Sequence, residues 1–283
     1  MRVGEQDASK ADGLALPSQD GDSSVELPRV LLPYVVVLRE RKDGASEKQI
    51  ALKMVSCNVS PQRVVCLLDY ASQINTPLIR LCLSKNPLGP EGARLLGNAL
   101  VTNNTLQFLE LDECELVGSS YRPQHEGILT LSKAIQSVRS RLRYVNLASN
   151  DLQPEGCRIL LGAMSFHKTL TALDISDNML SLFNDKQGYL ALSYLMQYSK
   201  QLCWLSIADN PLTPAAATAL KQSLWRNHSL TALNVYHCGI SKEEWLNYPS
   251  HTANNVENNL PSNESKKKQQ QKRPDGLLHM LKC

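Results

Sequence analysis

The chain has few of the residues, and none of the short motifs, on which catalysis and metal binding usually depend. Its 283 residues include six histidines and eight cysteines, and no two cysteines have the C-x-x-C spacing of a metal or redox site. There is no G-x-x-x-x-G-K-[ST] phosphate loop, no G-x-S-x-G nucleophile turn and no H-E-x-x-H metal motif. We therefore expect no catalytic residue, no cofactor, no metal and no small-molecule substrate, and we predict that the protein is not an enzyme.

Long apolar runs and a strong net charge are also missing. No stretch approaches the roughly 18 apolar residues that cross a bilayer, and the opening residues, MRVGEQDASKADG, lack the apolar run of a secretory signal. The net charge of +3 is too small to indicate a nucleic-acid partner by itself. We expect a monomer, or one member of a larger assembly, in a reducing compartment. The cytoplasm comes first, with the cilium, the cytoskeleton and the nucleus as alternatives.

What the chain does have is a nine-residue pattern that recurs along its length. Residues 170–178 read LTALDISDN and residues 230–238 read LTALNVYHC, and both follow the form L-x-x-L-x-L-x-x-N/C. Four more copies read LIRLCLSKN, LQFLELDEC, LRYVNLASN and LCWLSIADN, and a weaker one reads QIALKMVSC. The ninth residues, 28 to 36 positions apart, are Cys57, Asn86, Cys114, Asn150, Asn178, Asn210 and Cys238.

This pattern resembles that of leucine-rich-repeat proteins, specifically the ribonuclease-inhibitor-like subclass, whose repeats are about 28 residues long. The resemblance covers residues 48–248. It implies an α/β fold: a right-handed leucine-rich-repeat solenoid, or horseshoe, of about seven repeats with an inner parallel β-sheet and outer helices.

The physical chemistry of the residues supports the same arrangement. The L-x-L triplets alternate between two faces, as a strand does, and the residues between them have helical spacing. Pro90, Pro154 and Pro214 fall where first helical turns should begin, a position at which a missing N–H costs nothing. Ser241 and Glu244 match a capping box before a last helix. Strands stack about 4.8 Å apart and helices need about 10 Å, so the solenoid curves with its strands on the concave side.

The chain outside the repeats divides into three segments. Residues 1–27 are rich in Gly, Ser and Asp and are predicted to be disordered. Residues 28–47 are predicted to form an N-terminal cap, and their pattern is compatible with a strand or a helix. Residues 249–283 form a polar tail with a basic run at 266–273. That run could be an import signal, a contact to an acidic surface or a solubilising tail.

The ninth residues are predicted to form a structural ladder of turns. Asn and Cys can both donate a hydrogen bond to backbone carbonyls where the chain leaves each strand. Cys66 and Cys157 are predicted to be buried in helices. Cys82 falls on the open face of the sheet and is predicted to be the most exposed thiol of the repeats.

Strand residues that point away from the core should line the concave face and bind a protein partner. They combine aromatic anchors with acidic groups, a pattern that favours a partner with a basic or mixed surface. The alternative is a solvated face on which the aromatics only shield the strands. The predicted concave residues are Arg80, Phe108, Glu110, Asp112, Tyr144, Asn146, Asp174, Trp204, Asn234 and Tyr236.

Two repeats are longer than the others. The extra residues fall near 119–126 and 183–186, each between a strand and the next helix, so both should emerge on one rim of the horseshoe. Such loops either carry specificity or vary neutrally. His125, inside the first insertion, is predicted to be a solvated loop histidine.

These features predict a non-enzymatic protein-binding scaffold or adaptor that uses the concave face and one rim, and a ciliary or cytoskeletal assembly is the setting considered for it. The alternative is a GTPase-activating protein of the Ran activator type, which the chain resembles only in its repeats. The basic tail and the small number of repeats differ from what that resemblance implies.

Overall fold

The computed structural model of the chain describes residues 26–39 and 49–240. The predicted strand of each repeat forms, and eight strands lie side by side in one sheet in the order in which they occur in the chain. The strands are β1 Val35–Arg39, β2 Gln49–Lys53, β3 Leu78–Cys82, β4 Phe108–Glu110, β5 Tyr144–Asn146, β6 Ala172–Asp174, β7 Trp204–Ser206 and β8 Ala232–Asn234.

Each connection from β2 onward contains a helix. Because successive strands from β2 to β8 pair in parallel, the chain must cross back over the sheet between them. The helices are α1 Pro61–Ser72, α2 Gly89–Leu100, α3 Glu126–Gln136, α4 Gln153–Met164, α5 Gln187–Tyr198 and α6 Pro214–Arg226. This alternation confirms the α/β leucine-rich-repeat solenoid.

The first strand begins the sheet differently. β1 pairs with β2 in antiparallel orientation, with Val36 opposite Ala51. A short 3-10 helix, Arg29–Tyr34, precedes it, so the segment contains a helical turn followed by a strand. The β-branched residues Val35–Val37 account for the strand.

The core lies between the sheet and the helices. The last residue but one of every strand from β3 to β8 points into it, and so does the residue two positions further on. Burying each of these side chains contributes about 1.5–3 kcal/mol. The last residues but one are Leu81, Leu109, Val145, Leu173, Leu205 and Leu233, each with at most 1 % of its surface exposed.

The predicted helix starts have the expected prolines. Pro90, Pro154 and Pro214 all lie in the first turns of their helices. The Thr213 hydroxyl accepts a hydrogen bond from the backbone N–H of Ala216 at 3.2 Å and caps α6. The capping box at 241–244, the segment 1–25 and the basic run at 266–273 lie outside the described residues.

Close packing between helices depends on a glycine at the start of α3. A Cβ at Gly127 would press against the backbone carbonyl oxygen of Pro90 and lie 3.0 Å from the Cβ of Ala93. The absence of a side chain therefore lets α3 approach α2 and keeps the repeats in register despite the insertion before α3.

Candidate protein-binding surface

An aromatic pair lies at the centre of the concave face. In the sheet register Ala172 sits between Tyr144 and Trp204, and the two rings close over it with their centroids 6.5 Å apart. Tyr144 is therefore only 8 % exposed and Ala172 is buried, whereas Trp204 is half-buried. The prediction that Tyr144 faces solvent is wrong. Because Ala172 on the intervening strand β6 is small, the Trp204 ring can cover the Tyr144 ring.

The surroundings of Tyr144 are charged on both sides. Burial raises the pKa of its phenol, and the negative charges of Asp174 and Glu110 raise it further. Phe108, half-buried, is its neighbour on β4. Beyond Phe108, the Nε of Arg80 donates to a Glu110 carboxylate oxygen at 2.6 Å, so this acid is neutralised by the chain itself.

A buried polar network follows on strands β3 to β5. The hydroxyl of Ser84 donates to Oδ1 of Asp112 at 2.5 Å, and Nδ2 of Asn146 donates to the same oxygen at 2.9 Å. Both Asp112 and Asn146 are buried, which corrects the expectation that they face solvent. The cross-strand contacts satisfy them, as burial of polar groups requires.

Cys82 belongs to the same network. Its Sγ lies 3.5 Å from the Ser84 hydroxyl, and it is buried. Burial and the nearby Glu110 raise the pKa of its thiol. The prediction of an exposed thiol is therefore wrong for Cys82. Among the cysteines of the described residues the exposed one is Cys66 on α1, which was expected to be buried.

A second network lies at the C-terminal end of the concave face. Asp174 accepts the hydroxyl of Ser176 at 2.6 Å, and that hydroxyl lies 2.7 Å from the hydroxyl of Ser206. Asn234 donates to Ser206 at 3.1 Å. Next to it the rings of Tyr236 and His237 stack with centroids 3.6 Å apart. These strands present hydroxyl, amide and aromatic groups rather than unpaired acids.

The ninth residues of the repeats lie in the turns that connect each strand to the helix after it. We call these the strand-to-helix turns. Oδ1 of Asn86 accepts the backbone N–H groups of Cys57 and Val59 in the preceding turn, at 2.9 and 3.0 Å. Its Nδ2 donates to the carbonyls of Met54 and Leu83, at 2.6 and 2.7 Å. Asn150, Asn178 and Asn210 make equivalent bonds.

The cysteines in this ladder make only part of these bonds. Sγ of Cys114 donates to the carbonyl of Leu83 at 3.2 Å, and Sγ of Cys238 to that of Ile207 at 3.1 Å. Sγ of the half-buried Cys57 donates to Val55 at 3.3 Å. Burial raises the pKa of Cys114 to about 12 and that of Cys238 to about 11, so both stay protonated donors. A thiol has no second polar atom to accept the preceding turn's N–H groups, as the amide oxygen of asparagine does.

A second ladder, missed in the sequence, lies in the helix-to-strand turns, which precede the strands. Asn103 accepts the backbone N–H groups of Thr105 and Leu106 at 3.1 and 2.8 Å, and donates to the carbonyl of Ala71 at 2.8 Å. Asn227 makes the same set of bonds. A recurring N/H-x-S/T-L pattern signals these turns: NNTL, HKTL and NHSL.

Histidine replaces asparagine in one of these turns. Nδ1 of His167 accepts the backbone N–H groups of Thr169 and Leu170 at 3.3 and 3.1 Å. Since Nδ1 accepts, Nε2 carries the proton and donates to the hydroxyl of Ser140 at 3.0 Å. Burial lowers the pKa of His167, and the carbonyl of Ile135 partly opposes that effect.

Both insertions lie in strand-to-helix turns and carry exposed aromatic rings. Tyr121 is 96 % exposed in the first and Phe183 is 89 % exposed in the second. The first insertion is fixed to the next repeat, because Gln153 donates to the carbonyl of Ser120 at 2.7 Å. His125 is not solvated as expected. Its ring packs over Gly156, and its Nε2 is buried with no hydrogen-bond partner among the described residues.

Neither a membrane-spanning helix nor a metal-binding cluster is found within the described ranges. No helix there is both long and apolar enough to cross a bilayer. No group of three or more His, Cys, Asp or Glu side chains in these ranges is arranged to hold a metal ion.

Comparison with known proteins agrees with the repeat geometry. The family model described as "Leucine Rich repeat" matches residues 141–160. NACHT, LRR and PYD domains-containing protein 14 of Mus musculus is 31% identical over 195 residues, which is 68% of this chain and 18% of that protein. NACHT, LRR and PYD domains-containing protein 5 of Homo sapiens is 28% identical over 190 residues, 59% of this chain and 16% of that protein.

A third relative is smaller. The ribonuclease inhibitor of Sus scrofa is 27% identical over 180 residues, which cover 56% of this chain and 39% of that protein. The chain thus spans less than half the length of each of these relatives. Together with the strand–helix repeats and the asparagine ladder, these matches place the chain among the leucine-rich-repeat proteins. Within them it belongs to the ribonuclease-inhibitor-like type.

Proposed function

We propose that this protein is a non-enzymatic scaffold that binds a protein partner through its concave face. The observation that supports this most directly is the Tyr144–Trp204 pair. Trp204 keeps part of its ring accessible at the centre of the sheet, and Tyr144 packs beneath it and holds it in place. Interface hot spots are typically aromatic anchors held by well-packed neighbours.

The charges around this anchor favour a partner with a mixed surface over a purely basic one. Glu110 pairs with Arg80, Glu113 with Lys85 at 3.1 Å, and Asp209 with His237 at 2.8 Å. Arg80 and Lys85 supply counter-charges to their acids, and Asp209 already has a hydrogen-bond partner on the chain, which leaves less negative potential for a basic partner. The serine, asparagine and tyrosine groups of β6 to β8 offer neutral hydrogen bonds alongside.

The rim that carries the two insertions extends the proposed surface. Tyr121 and Phe183 are almost fully exposed, and large exposed rings are a common feature of interfaces. Interactions of the partner with this rim would add contacts that the regular repeats do not supply.

Affinity capture from cell extract with quantitative mass spectrometry tests the proposal. Trp204→Ala should lose partners that the unaltered protein retains, with capture reduced about tenfold or more, as for a hot-spot residue of 2 kcal/mol or above. Trp225→Ala is the matched control, because Trp225 is exposed on the helical side, away from the concave face. Equal capture by the Trp204→Ala variant, the Trp225→Ala variant and the unaltered protein would refute a concave binding site.

The ciliary or cytoskeletal setting, a cytoplasmic location and the lack of enzymatic activity stay predictions. The GTPase-activator alternative also stays a prediction. Hydrolysis of GTP by a small GTPase of the Ran type, measured with and without this protein, distinguishes the two functions. An acceleration of the kind that activating proteins give, of several orders of magnitude, would replace the scaffold proposal.

A further inference from the structure

The rim opposite the insertions has a distinct composition. It is made of the helix-to-strand turns and the helix ends that lead into them. In each repeat we compare the residue that lies six positions before the first residue of the next strand. In three successive repeats this residue is apolar and at the surface: Val138 at 99 %, Phe166 at 65 % and Tyr198 at 43 % exposure. We call these three the apolar row.

The apolar row continues into an aromatic cluster. The Phe166 ring lies 5.9 Å from Tyr194 in an edge-on arrangement and 6.3 Å from Tyr198. The rings of Tyr194 and Tyr198 are 4.4 Å apart. All three side chains are exposed. Together they form an aromatic patch in contact with water, and such patches mark interaction sites in many proteins.

Positive charge accompanies the apolar row. The segments 137–143, 165–171 and 199–203, which precede β5, β6 and β7, contain no aspartate or glutamate. Within the described residues none of their basic side chains forms an ion pair with a carboxylate. The basic residues of these segments are Arg139, Arg141, Arg143, Lys168 and Lys200.

Helix dipoles account for little of this charge. Cations stabilise the C-terminal end of a helix, but the effect is confined to about the last turn. Lys168 lies four residues beyond the end of α4, and Arg141 lies five residues beyond the end of α3. By contrast, the strand-to-helix rim has exposed acids, including Glu113, Asp177 and Asp209. The strand-to-helix turns together contain more acidic than basic side chains, so the two rims differ in the sign of their net charge.

A cleft joins the apolar row to the charges. It has a volume of about 90 Å³ and is lined by Val138, Ala163, Phe166, His167 and Lys168, among others. That volume is several times the roughly 10–15 Å³ that one water molecule needs and smaller than the roughly 150 Å³ of a cavity that binds benzene. It suits one aliphatic side chain, with Lys168 beside the opening.

We propose that this rim binds an acidic protein segment that inserts an aliphatic side chain between Val138 and Phe166 and places carboxylates against Lys168, Lys200 and Arg141. Charge complementarity selects the acidic segment, and the cleft selects the apolar anchor. A single-stranded nucleic acid is less suited, because it needs separate aromatic faces for successive bases, whereas these rings pack against one another. A lipid headgroup surface supplies no side chain for the cleft.

Fluorescence anisotropy with the full chain and a labelled peptide of Glu-Glu-Leu repeats tests this proposal. The peptide should bind, and added salt should weaken binding because the charges are exposed. A Lys-Lys-Leu peptide should not bind, and a Glu-Glu-Ser peptide should bind at least tenfold more weakly. A dissociation constant weaker than about 1 mM for the Glu-Glu-Leu peptide would overturn the proposal.

Matched variants locate the site. Phe166→Ser and the pair Lys168→Glu with Lys200→Glu should each weaken binding about tenfold or more. Leu190→Ser, at an exposed position on α5, matches the Phe166→Ser change. Arg63→Glu, at an exposed position on α1, reverses one charge where the lysine pair reverses two, and both controls should leave binding unchanged. Denaturation curves of all variants check that they are folded. Equal affinity for the rim variants and the controls would overturn the proposed site.

Three further measurements decide between occupants. Phosphatidylserine vesicles or oligo-dT that bind more tightly than the peptide, and lose binding in the same rim variants, would replace the protein segment with a lipid or a nucleic acid. Self-association in analytical ultracentrifugation that is lost in the Lys168→Glu variant would assign the rim to a second copy, through its acidic strand-to-helix turns. Any of these three results would overturn the acidic-segment assignment.

Discussion

The strand-to-helix turns and the helix-to-strand turns both use side chains to satisfy buried backbone N–H and carbonyl groups. They differ in whether those groups belong to a neighbouring repeat or to the same turn. In the strand-to-helix turns, Asn150 accepts two N–H groups from one repeat and donates to carbonyls of that repeat and its own. In the helix-to-strand turns, Asn103 accepts its two N–H groups from its own turn and makes a single bond to the repeat before it. The first ladder therefore joins repeats, whereas the second mainly shapes each turn.

The largest effect should follow from breaking the inter-repeat ladder. Asn150→Ala leaves two buried N–H groups and the carbonyls of Leu111 and Leu147 without this partner. At about 1–3 kcal/mol for each unsatisfied group, with partial relief by relaxation, we expect a loss of about 4 kcal/mol in the free energy of unfolding. Urea denaturation followed by circular dichroism measures it.

Cys238→Ala provides the control for that variant, because the thiol makes weak donor bonds and accepts none. It should cost about 1 kcal/mol. Similar losses for Asn150→Ala and Cys238→Ala would show that the accepted N–H bonds carry no special weight.

The helix-to-strand ladder should be less costly to break. Asn103→Ala removes four bonds within and next to one turn, one of them a long bond of 3.4 Å to the Thr105 hydroxyl, and we expect a loss of about 2–3 kcal/mol. Asn104→Ala, at the neighbouring and more accessible position, is the control and should cost well under 1 kcal/mol. A loss for Asn103→Ala as large as that for Asn150→Ala would remove the distinction between the two ladders.

The smallest effect that we expect is a pH dependence of stability that His167 confers and that the asparagines at the equivalent positions do not. The pKa of His167 is lowered in the folded state, so the unfolded chain binds the proton more readily. The stabilising contribution of the neutral ring is then fully present above the ordinary pKa of about 6.5 and is lost as the pH falls towards the folded value.

His167→Asn should keep the turn bonds and remove this part of the pH dependence. Denaturation midpoints measured from pH 7.5 down to pH 5, values that bracket the ordinary histidine range, test the expectation. The unaltered protein should lose stability relative to the His167→Asn variant across that interval. Parallel pH profiles for the two proteins would rule out a role for His167 protonation.

The repeat period was enough to predict the solenoid, since it places Leu81, Leu109 and their equivalents on one side of every strand. It could not predict how deeply each outward-pointing residue is covered. That depends on side chains of neighbouring strands, some 30 residues away in the chain. Tyr144 is covered because Ala172, and not a larger residue, stands beside it.

Other differences have equally local causes. Cys82 and Asp112 are buried by a hydrogen-bond network whose members come from separate repeats. The helix-to-strand ladder is marked in the sequence by the N/H-x-S/T-L pattern, which lies outside the nine-residue leucine repeat. His125 is covered because its insertion folds back over Gly156.

The asparagine ladder also gives the solenoid a direction. Each amide oxygen holds N–H groups of the turn before it, so a repeat depends on its successor more than on its predecessor. Within the ladder, loss of a repeat whose ninth residue is asparagine orphans two backbone N–H groups of the repeat before it, whereas in the repeat after it only side-chain donors lose a partner. Under mechanical force the array should therefore unfold more easily from its C-terminal end. Each repeat that is lost there leaves unpaired backbone N–H groups in the repeat before it and so destabilises that repeat.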